Sequence, residues 1–199
     1  MLVLASASPR RQELLRNAGI SFTVQPAAID ETPRLRESPR DCAERLAREK
    51  ALAVSAARPR DSVLGADTIV VIDDAILGKP RDAGDAAGML RLLSGRTHRV
   101  ITGICLIGEE VAGEPGQQLK TENRELRTAS ATTLVTMCEL SDEEIRAYVA
   151  TGEPMDKAGA YAIQGIASRW IPRIEGDYSN VVGLPVALVW KMLRKLKTI

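Results

Sequence analysis

The chain has 199 residues, of which 45% are hydrophobic, so it can bury a substantial core within a single domain spanning residues 1–199. Its 27 Lys and Arg residues are balanced by 26 Asp and Glu residues. This balance leaves no marked excess of positive charge for binding the phosphates of a nucleic acid. One Phe and three Tyr also offer few rings on which bases could stack. The composition favours an ordinary globular protein and argues against a disordered chain or a nucleic-acid binder.

The apolar runs and cysteines predict a cytoplasmic protein outside the membrane. No apolar run reaches the roughly 18 residues of a membrane span, and the amino terminus has its positive charge after a short apolar run, unlike a signal peptide. Cys42, Cys105 and Cys138 are far apart and odd in number, which predicts neither a disulfide framework nor a zinc cluster. A reducing compartment fits these thiols.

Strand and helix patterns alternate along the chain, which predicts an α/β fold of packed layers. In chain order we predict a strand at 2–5, helices at 9–18 and 38–57, a central buried strand at 62–73, a helix at 82–94 and a strand at 97–107. We then expect a loop or hairpin tip at 108–118, a strand at 126–140, a helix at 141–152, glycine-punctuated strands, and a last helix from about 185 with a basic, solvated end.

Helix-capping signals set the starts of three of these helices. Ser8 and Ser38 each precede a proline at the first helical position, and Asp41 stands at the capping-box position of the second helix. Ser141 with Glu144 forms a capping box for a later helix. These signals depend only on neighbouring residues.

Two charged residues lie where the pattern of apolar residues points inward. Lys50 interrupts the apolar stripe of its helix, so it faces the core or a cleft unless its ammonium extends to water along the protein surface. Asp67 lies inside the most apolar strand, where an unpaired carboxylate costs several kcal/mol. It therefore needs a cation, a metal or close donors, although backbone amides alone could also satisfy it. Glu31, in IDETPR, is either a site residue or part of a surface loop.

The turn ASASPRR is the best candidate for phosphate binding. Ser6, Ser8, Arg10 and Arg11 converge at the amino terminus of a helix, where free N–H groups attract anions and where cations are misplaced unless an anion is present. Lys79, in GKPRD, precedes a proline that favours an extended loop from which it could reach a ligand. The sequence contains no P-loop motif, and the single His98 has no nucleophile elbow beside any serine.

The motifs LASASPRRQELL, IDETPR, RLAREKA, LGADTIV, GKPRDA, LSGRTHRV, YVATGEPMDKAGAYAIQG and NVVGLP occur in that order over almost the whole chain. This series resembles the Maf family. The resemblance implies an inosine-triphosphatase-like α/β fold, with an elongated mixed β-sheet flanked by helices, a central cleft between two lobes, and a homodimer. It also implies cleavage of nucleoside triphosphates between the α and β phosphates with a divalent metal cation, Mg²⁺ or Mn²⁺.

The resemblance also assigns roles to the residues singled out above. Ser6, Ser8, Arg10 and Arg11 would hold the triphosphate, and Lys50 and Lys79 would neutralise it. Glu31 and Asp67 would serve the metal and the attacking water, with Asp67 as either the general base or a metal ligand.

Base specificity is implied by three positions of the same resemblance. Arg10, Thr68 and Gln164 match the branch that acts on dTTP and UTP, and by extension on modified pyrimidine triphosphates, whereas the 7-methyl-GTP branch has Trp, Gln and Glu there. An amide such as Gln164 can pair with a pyrimidine edge through one donor and one acceptor. The region 108–121, longer and more acidic than usual, and Met137-Cys138 depart from the family pattern away from these positions.

Two other functions remain open at this point. A nucleotide-binding regulator of cell division or septum formation would bind a triphosphate without turnover, although it would have no need of Asp67 and Glu31 among cations. A kinase or nucleotidyltransferase would need an acceptor site, and the sequence shows none.

Overall fold

The computed structural model describes residues 1–109 and 124–195. In chain order these residues form β1 (Leu2–Leu4), α1 (Pro9–Asn17), β2 (Thr23–Val24), α2 (Pro39–Ala57), β3 (Ser62–Ile72), β4 (Ala75–Leu77), α3 (Ala83–Leu93), β5 (Thr97–Glu109) and β6 (Arg124–Thr136). They continue with α4 (Asp142–Ala150), 3₁₀ helices at Glu153–Asp156, Ala158–Ala160 and Ile166–Trp170, then β7 (Arg173–Glu175), α5 (Tyr178–Val182) and α6 (Val186–Leu193).

The described strands form a seven-stranded mixed sheet in the order β2-β1-β3-β5-β6-β7, with β4 paired to β3. Strand β1 pairs in parallel with β2 and β3, whereas β4 and β7 run antiparallel to β3 and β6. Strand β3 is buried along nearly its whole length, as its continuous apolar run predicts. The predicted mixed α/β fold, with helices flanking the sheet, is confirmed.

The described residues divide into two compact units. The first lies within Met1–Asp67, Gly103–Ser130 and Gly183–Ile199, and the second within Thr68–Thr102 and Ala131–Val182. In the first unit, one apolar cluster is centred on Leu4, Leu15 and Leu64, and another joins Val3 and Val63 to Ala47, Ala51 and Val54 of α2. In the second unit, the core surrounds Leu90, Leu93, Tyr148 and Trp170. The single domain and the cleft between two lobes stay predictions.

Helix α2 approaches the sheet closely because glycines face it. A Cβ atom built at Gly65 would lie 2.1 Å from the carbonyl oxygen of Ala47, and one at Gly103 would lie 2.3 Å from that of Ala43. Any side chain at these positions would push the helix away. The two glycines therefore set the distance between β3 and the helix that carries Lys50.

Three sequence predictions need correction. The strand predicted over 126–140 ends at Thr136, because Met137 donates to the carbonyl of Arg96 and Cys138 donates to that of Trp170. The residues after 152 were predicted to form glycine-punctuated strands. They instead form three 3₁₀ helices, the short strand β7 and the helix α5, which was not predicted. Gly108 and Glu109 belong to β5 rather than to a loop, and the rest of the predicted 108–118 loop lies outside the described residues.

The residues after 152 form 3₁₀ helices because local groups satisfy their backbone. Pro154 lies in the first turn of one 3₁₀ helix, and Gly152 and Gly159 adopt φ angles of 75° and 69° that turn the chain. The Glu153 carboxylate accepts from the N–H of Ile166 at 3.1 Å, at the start of the last of these 3₁₀ helices. Only Arg173–Glu175 of the described residues in this region joins the sheet.

None of the helices among residues 1–109 and 124–195 is both long and apolar enough to cross a membrane.

We expect Gly65→Ala to lower the free energy of unfolding by about 3 kcal/mol, since the new methyl group overlaps the backbone of α2. Gly88→Ala is the matched control, because nothing lies within 4 Å of its Cβ position inside α3. There the substitution should raise the free energy of unfolding by about 0.5–1 kcal/mol. Urea denaturation checks both, and equal effects at the two positions would contradict the close approach.

Candidate active site

The turn between β1 and α1 is anchored at both ends. The N–H of Ala5 donates to the carbonyl of Leu64 at 2.8 Å, which fixes the turn to β3. The side chain of Ser8 caps α1 by accepting from the N–H of Arg11 at 3.4 Å, with Pro9 at the first helical position. The predicted helix start is confirmed.

The hydroxyl of Ser6 is set to act as a donor. Its oxygen accepts from Nη1 of Arg11 at 3.0 Å and from the N–H of Ser8 at 3.3 Å. A hydroxyl group has two acceptor lone pairs and one proton. Since both lone pairs are engaged, the O–H is directed toward a further acceptor, such as a phosphate oxygen.

Arg11 is buried and connects two segments of the first unit. Its Nε donates to the carbonyl of Gly183 at 2.8 Å, in addition to the bond from Nη1 to Ser6. Burial lowers the pKa of Arg11, the carboxylates of Asp67 and Glu31 act to raise it, and the neighbouring Arg10 acts to lower it. These four charged groups therefore act on one another within one region. Arg10 itself is half-buried.

Lys50 joins two carboxylates. Its Nζ lies 2.6 Å from Oδ1 of Asp67 and 2.6 Å from Oε1 of Glu31. Lys50 and Asp67 are each only 7% exposed, whereas Glu31 lies on an exposed segment before α2. The ammonium group thus does not extend to water, and a cation rather than backbone amides alone compensates Asp67. The structure therefore brings together Lys50, Asp67 and Glu31, which the sequence singled out as separate candidates, and their roles stay predictions.

The two carboxylates form an oxygen-rich position suited to a hard cation. Among the residues that the structure describes, no group of three or more His, Cys, Asp or Glu side chains could hold a metal ion. The pair of Glu31 and Asp67 matches the way Mg²⁺ is often bound, through one or two carboxylates together with substrate phosphates. The donor set therefore fits a divalent ion that arrives with a phosphorylated ligand.

The remaining predicted site residues belong to the second unit. Thr68 is half-buried, and its Oγ1 lies 2.9 Å from Oγ1 of Thr102. Lys79 and Gln164 are both exposed. Their contacts with a substrate stay predictions.

Sequence reasoning missed Thr102 and Asn180, which are fully buried polar residues of the second unit. Thr102 donates to the backbone carbonyl of Asn180 at 3.0 Å. The signal for Thr102 was present, since it lies inside the apolar strand β5 much as Asp67 lies inside β3. Asn180, in NVVGLP, had no such signal because its neighbours form a short helix.

His98 is a core residue. Its Nε2 lies 2.7 Å from the hydroxyl oxygen of Tyr161, and the two rings meet edge to face with centroids 5.4 Å apart. Burial lowers the pKa of His98 to about 4. A buried, neutral imidazole agrees with the sequence-based argument against a Ser-His-Asp site.

Fold and site together define an α/β protein in which a serine-capped helix terminus that bears Arg10 and Arg11 lies in the same unit as a lysine-bridged pair of carboxylates. The family model described as Maf-like protein matches residues 1–196. The chain therefore belongs to the Maf family, as its motif series predicted.

Individual relatives agree with this assignment. The dTTP/UTP pyrophosphatase of Koribacter versatilis is 56% identical over 194 residues, which is 98% of this chain and 93% of that relative. The dTTP/UTP pyrophosphatase of Thermococcus gammatolerans is 51% identical, covering 96% of this chain and 95% of that relative. A crystal structure of a nucleoside-triphosphatase, dITP/XTP pyrophosphatase, from Mycobacterium abscessus is 13% identical with a TM-score of 0.43, covering 98% of this chain and 94% of that one. At this TM-score the likeness supports no conclusion about the fold or function of this chain.

Replacing Lys50 should show how much its positive charge stabilises the folded protein through the carboxylates of Glu31 and Asp67. We expect Lys50→Met to lower the free energy of unfolding at neutral pH by about 3–5 kcal/mol, because it leaves the buried Asp67 carboxylate without its cation. Arg48→Met, on the exposed side of the same helix, is the control and should change it by less than about 0.5 kcal/mol. Similar losses in urea denaturation for the two variants would show that the ion pair contributes little.

Acidification should weaken the fold through His98, which is the single histidine of the chain. The unfolded state takes up a proton near pH 6.5, whereas the folded state resists it until about pH 4, so stability is lost as the pH falls between these values. We expect a decrease of about 1–2 kcal/mol from pH 6.5 to 5 in urea denaturation. His98→Gln, which cannot titrate, should show a much flatter profile. An unchanged profile in the variant would rule out this role.

Proposed function

We propose that the chain is a nucleoside triphosphate pyrophosphatase that hydrolyses dTTP and UTP, and modified pyrimidine triphosphates, to the nucleoside monophosphate and pyrophosphate. The observation that carries the proposal is the buried Lys50 bridging Asp67 and Glu31 in the same unit as the Ser6–Arg11 turn. Relatives that are about half identical over nearly the whole chain have the name dTTP/UTP pyrophosphatase.

The triphosphate is held at the amino terminus of α1. The first N–H groups of a helix have no partner within it, and the helix dipole attracts negative charge. Ser6 offers its O–H, Arg10 its charged side chain, and Arg11 a positive charge fixed by the carbonyl of Gly183. Such groups position the phosphates and neutralise them, which is the main requirement of phosphoryl-type transfer.

Glu31 and Asp67 would hold a divalent cation, Mg²⁺ or Mn²⁺. Such an ion polarises phosphate oxygens and lowers the pKa of bound water. Lys50 keeps the two carboxylates together and compensates part of their charge before the substrate arrives. Asp67 either accepts a proton from the attacking water or acts as a ligand, and both roles need its carboxylate.

Three further residues predicted from the sequence complete this proposal. Lys79, on an exposed loop, neutralises the phosphates, and the exposed amide of Gln164 pairs with the pyrimidine edge together with Thr68. A homodimer is part of the same proposal. Neither nucleic acid nor a membrane is a partner in it.

The test is pyrophosphate release from a panel of nucleoside triphosphates with Mg²⁺ or Mn²⁺, with and without a chelator. We expect the highest kcat/KM for dTTP and UTP, and no release once divalent ions are removed. Asp67→Asn should lower kcat by about 100-fold to 10,000-fold, the contribution typical of general acid–base groups. Asp142→Asn makes the same chemical change in an exposed ion pair with Arg91 and should behave as the unmodified protein.

The outcomes separate the alternatives. Release from no nucleotide would overturn the proposal and favour a nucleotide-binding regulator without turnover. A preference for 7-methyl-GTP would contradict the pyrimidine assignment while leaving the reaction in place. Equal turnover by Asp67→Asn and the unmodified protein would remove Asp67 from the mechanism.

A further inference from the structure

The stretch of chain that carries Glu31 has no regular secondary structure. This Glu31 segment, residues 26–38, lies between β2 and α2. A carboxylate on such a segment is placed by individual contacts, and one of them is the 2.6 Å contact with Lys50. Further contacts to the segment come from Arg45, which lies five positions before Lys50 on α2.

Arg45 holds the Glu31 segment at two points. Its Nη2 donates to the backbone carbonyl of Thr32, the residue after Glu31, at 3.2 Å. Its Nε and Nη2 also donate to the two carboxylate oxygens of Glu37 at 2.6 and 2.8 Å, a forked geometry that a guanidinium can form and an ammonium cannot. One side chain thereby joins residues 32 and 37 to α2.

The ion pair of Arg45 and Glu37 is more enclosed than an ordinary surface pair. The two side chains are only 13% and 10% exposed, so solvent screens their attraction less than that of exposed charges. Hydrogen bonds from Arg45 lower the pKa of Glu37 to about 2, and the pair is therefore charged at neutral pH. Glu49, on the same helix, accepts from Nη1 of Arg45 at 3.2 Å and keeps the guanidinium in place.

Short-range hydrogen bonds connect the two anchor points to Glu31. The N–H of Arg34 donates to Oε2 of Glu37 at 3.1 Å, and the N–H of Glu37 donates to the carbonyl of Arg34 at 3.2 Å. On the other side, the N–H of Thr32 donates to Oδ1 of Asp30 at 2.9 Å, which joins the two neighbours of Glu31. The position of Thr32 therefore determines where Glu31 lies.

We propose that Arg45 is a positioning residue for metal binding, which keeps the Glu31 carboxylate beside Asp67 by fastening the Glu31 segment to α2. The inference rests on the proposed function, since it takes Glu31 and Asp67 as the groups that hold the divalent ion. In this role Arg45 acts through the backbone of Thr32 rather than by contact with the ion or the substrate. Groups that orient metal ligands typically contribute about 10-fold to 100-fold to metal affinity.

The test measures the dissociation constant of α,β-imido-dUTP by calorimetry, once with Mn²⁺ and once with EDTA. In this analogue a nitrogen replaces the bridging oxygen at the bond that hydrolysis would break, so binding is measured without turnover. We expect Arg45→Met to weaken binding of the Mn²⁺ complex about tenfold. Binding without metal should change less than about twofold, because the helix terminus that holds the triphosphate is intact.

The comparison with and without metal separates positioning from a general structural effect. A variant with a disturbed fold would bind the analogue more weakly under both conditions. Equal weakening under both conditions, or unchanged binding of the Mn²⁺ complex, would overturn the inference.

Arg58→Met is the matched control, because Arg58 forms an ion pair with Asp61 at 2.7 Å at the other end of α2. It should leave both dissociation constants unchanged. Should Arg45→Met fail to fold, Glu37→Gln replaces it, since it removes the charge that Arg45 pairs with and keeps the shape of the side chain. Glu37→Gln should weaken the Mn²⁺ complex selectively, and a selective loss in Arg58→Met instead would contradict the inference.

A double-mutant cycle shows whether Arg45 acts through Glu31. If it does, adding Arg45→Met to Glu31→Gln should change the dissociation constant of the Mn²⁺ complex no further. A further tenfold loss in that background would mean that Arg45 acts by another route, and the inference would be wrong.

Failure of this inference and failure of the proposed function give different results. If Mn²⁺ does not strengthen binding of the analogue to the unmodified protein, the metal site of the proposed function is wrong and the inference with it. If Mn²⁺ strengthens binding equally in the unmodified protein and in Arg45→Met, only the role of Arg45 is wrong.

Discussion

The ion pair between Lys50 and Asp67 is the interaction on which the candidate site depends. A carboxylate inside a strand buried on both faces needs a cation, a metal or close donors, and Lys50 provides the cation through its 2.6 Å contact. That contact is possible because Gly65 lets α2 lie against β3 without a side chain between them. Packing of the core and chemistry of the site are thus joined, since the glycine that allows the helix to dock also brings its lysine to the carboxylate.

The structure also fixes the hydrogen-bonding roles of its hydroxyl groups by engaging them from within. Ser6 accepts two hydrogen bonds and is left to donate, which suits a phosphate oxygen. Thr102 donates to the backbone carbonyl of Asn180, so its contact with Thr68 uses the proton of Thr68. A hydroxyl is otherwise free to rotate and can serve either role. Their partners therefore fix whether the hydroxyl groups of Ser6 and Thr102 donate or accept further hydrogen bonds.

Features that depend on neighbouring residues could be predicted from the sequence. The caps at Ser8, Ser38 and Ser141 follow from local hydrogen bonding, and each is present. Lys50 and Asp67 were recognisable because a charge on an apolar face needs a partner. The pattern could not show that Lys50 also reaches Glu31, 19 positions earlier, because a segment without regular secondary structure gives no periodic signal. Nor could it show the 3₁₀ helices after α4, where the Glu153 carboxylate accepts from the N–H of Ile166, 13 positions later.

Charge balance within the first unit supports a substrate that brings its own counterion. Arg10, Arg11 and Lys50 act against Glu31 and Asp67, as the opposing effects on the pKa of Arg11 indicate. These groups leave a small positive surplus, whereas a triphosphate has several negative charges. A binding site neutralises such an anion poorly with so small a surplus, because buried charges that lack a partner are costly. A divalent cation bound by the two carboxylates and the phosphates would supply the missing positive charge. The role of Lys50 would then be to stabilise the carboxylates when no substrate is bound.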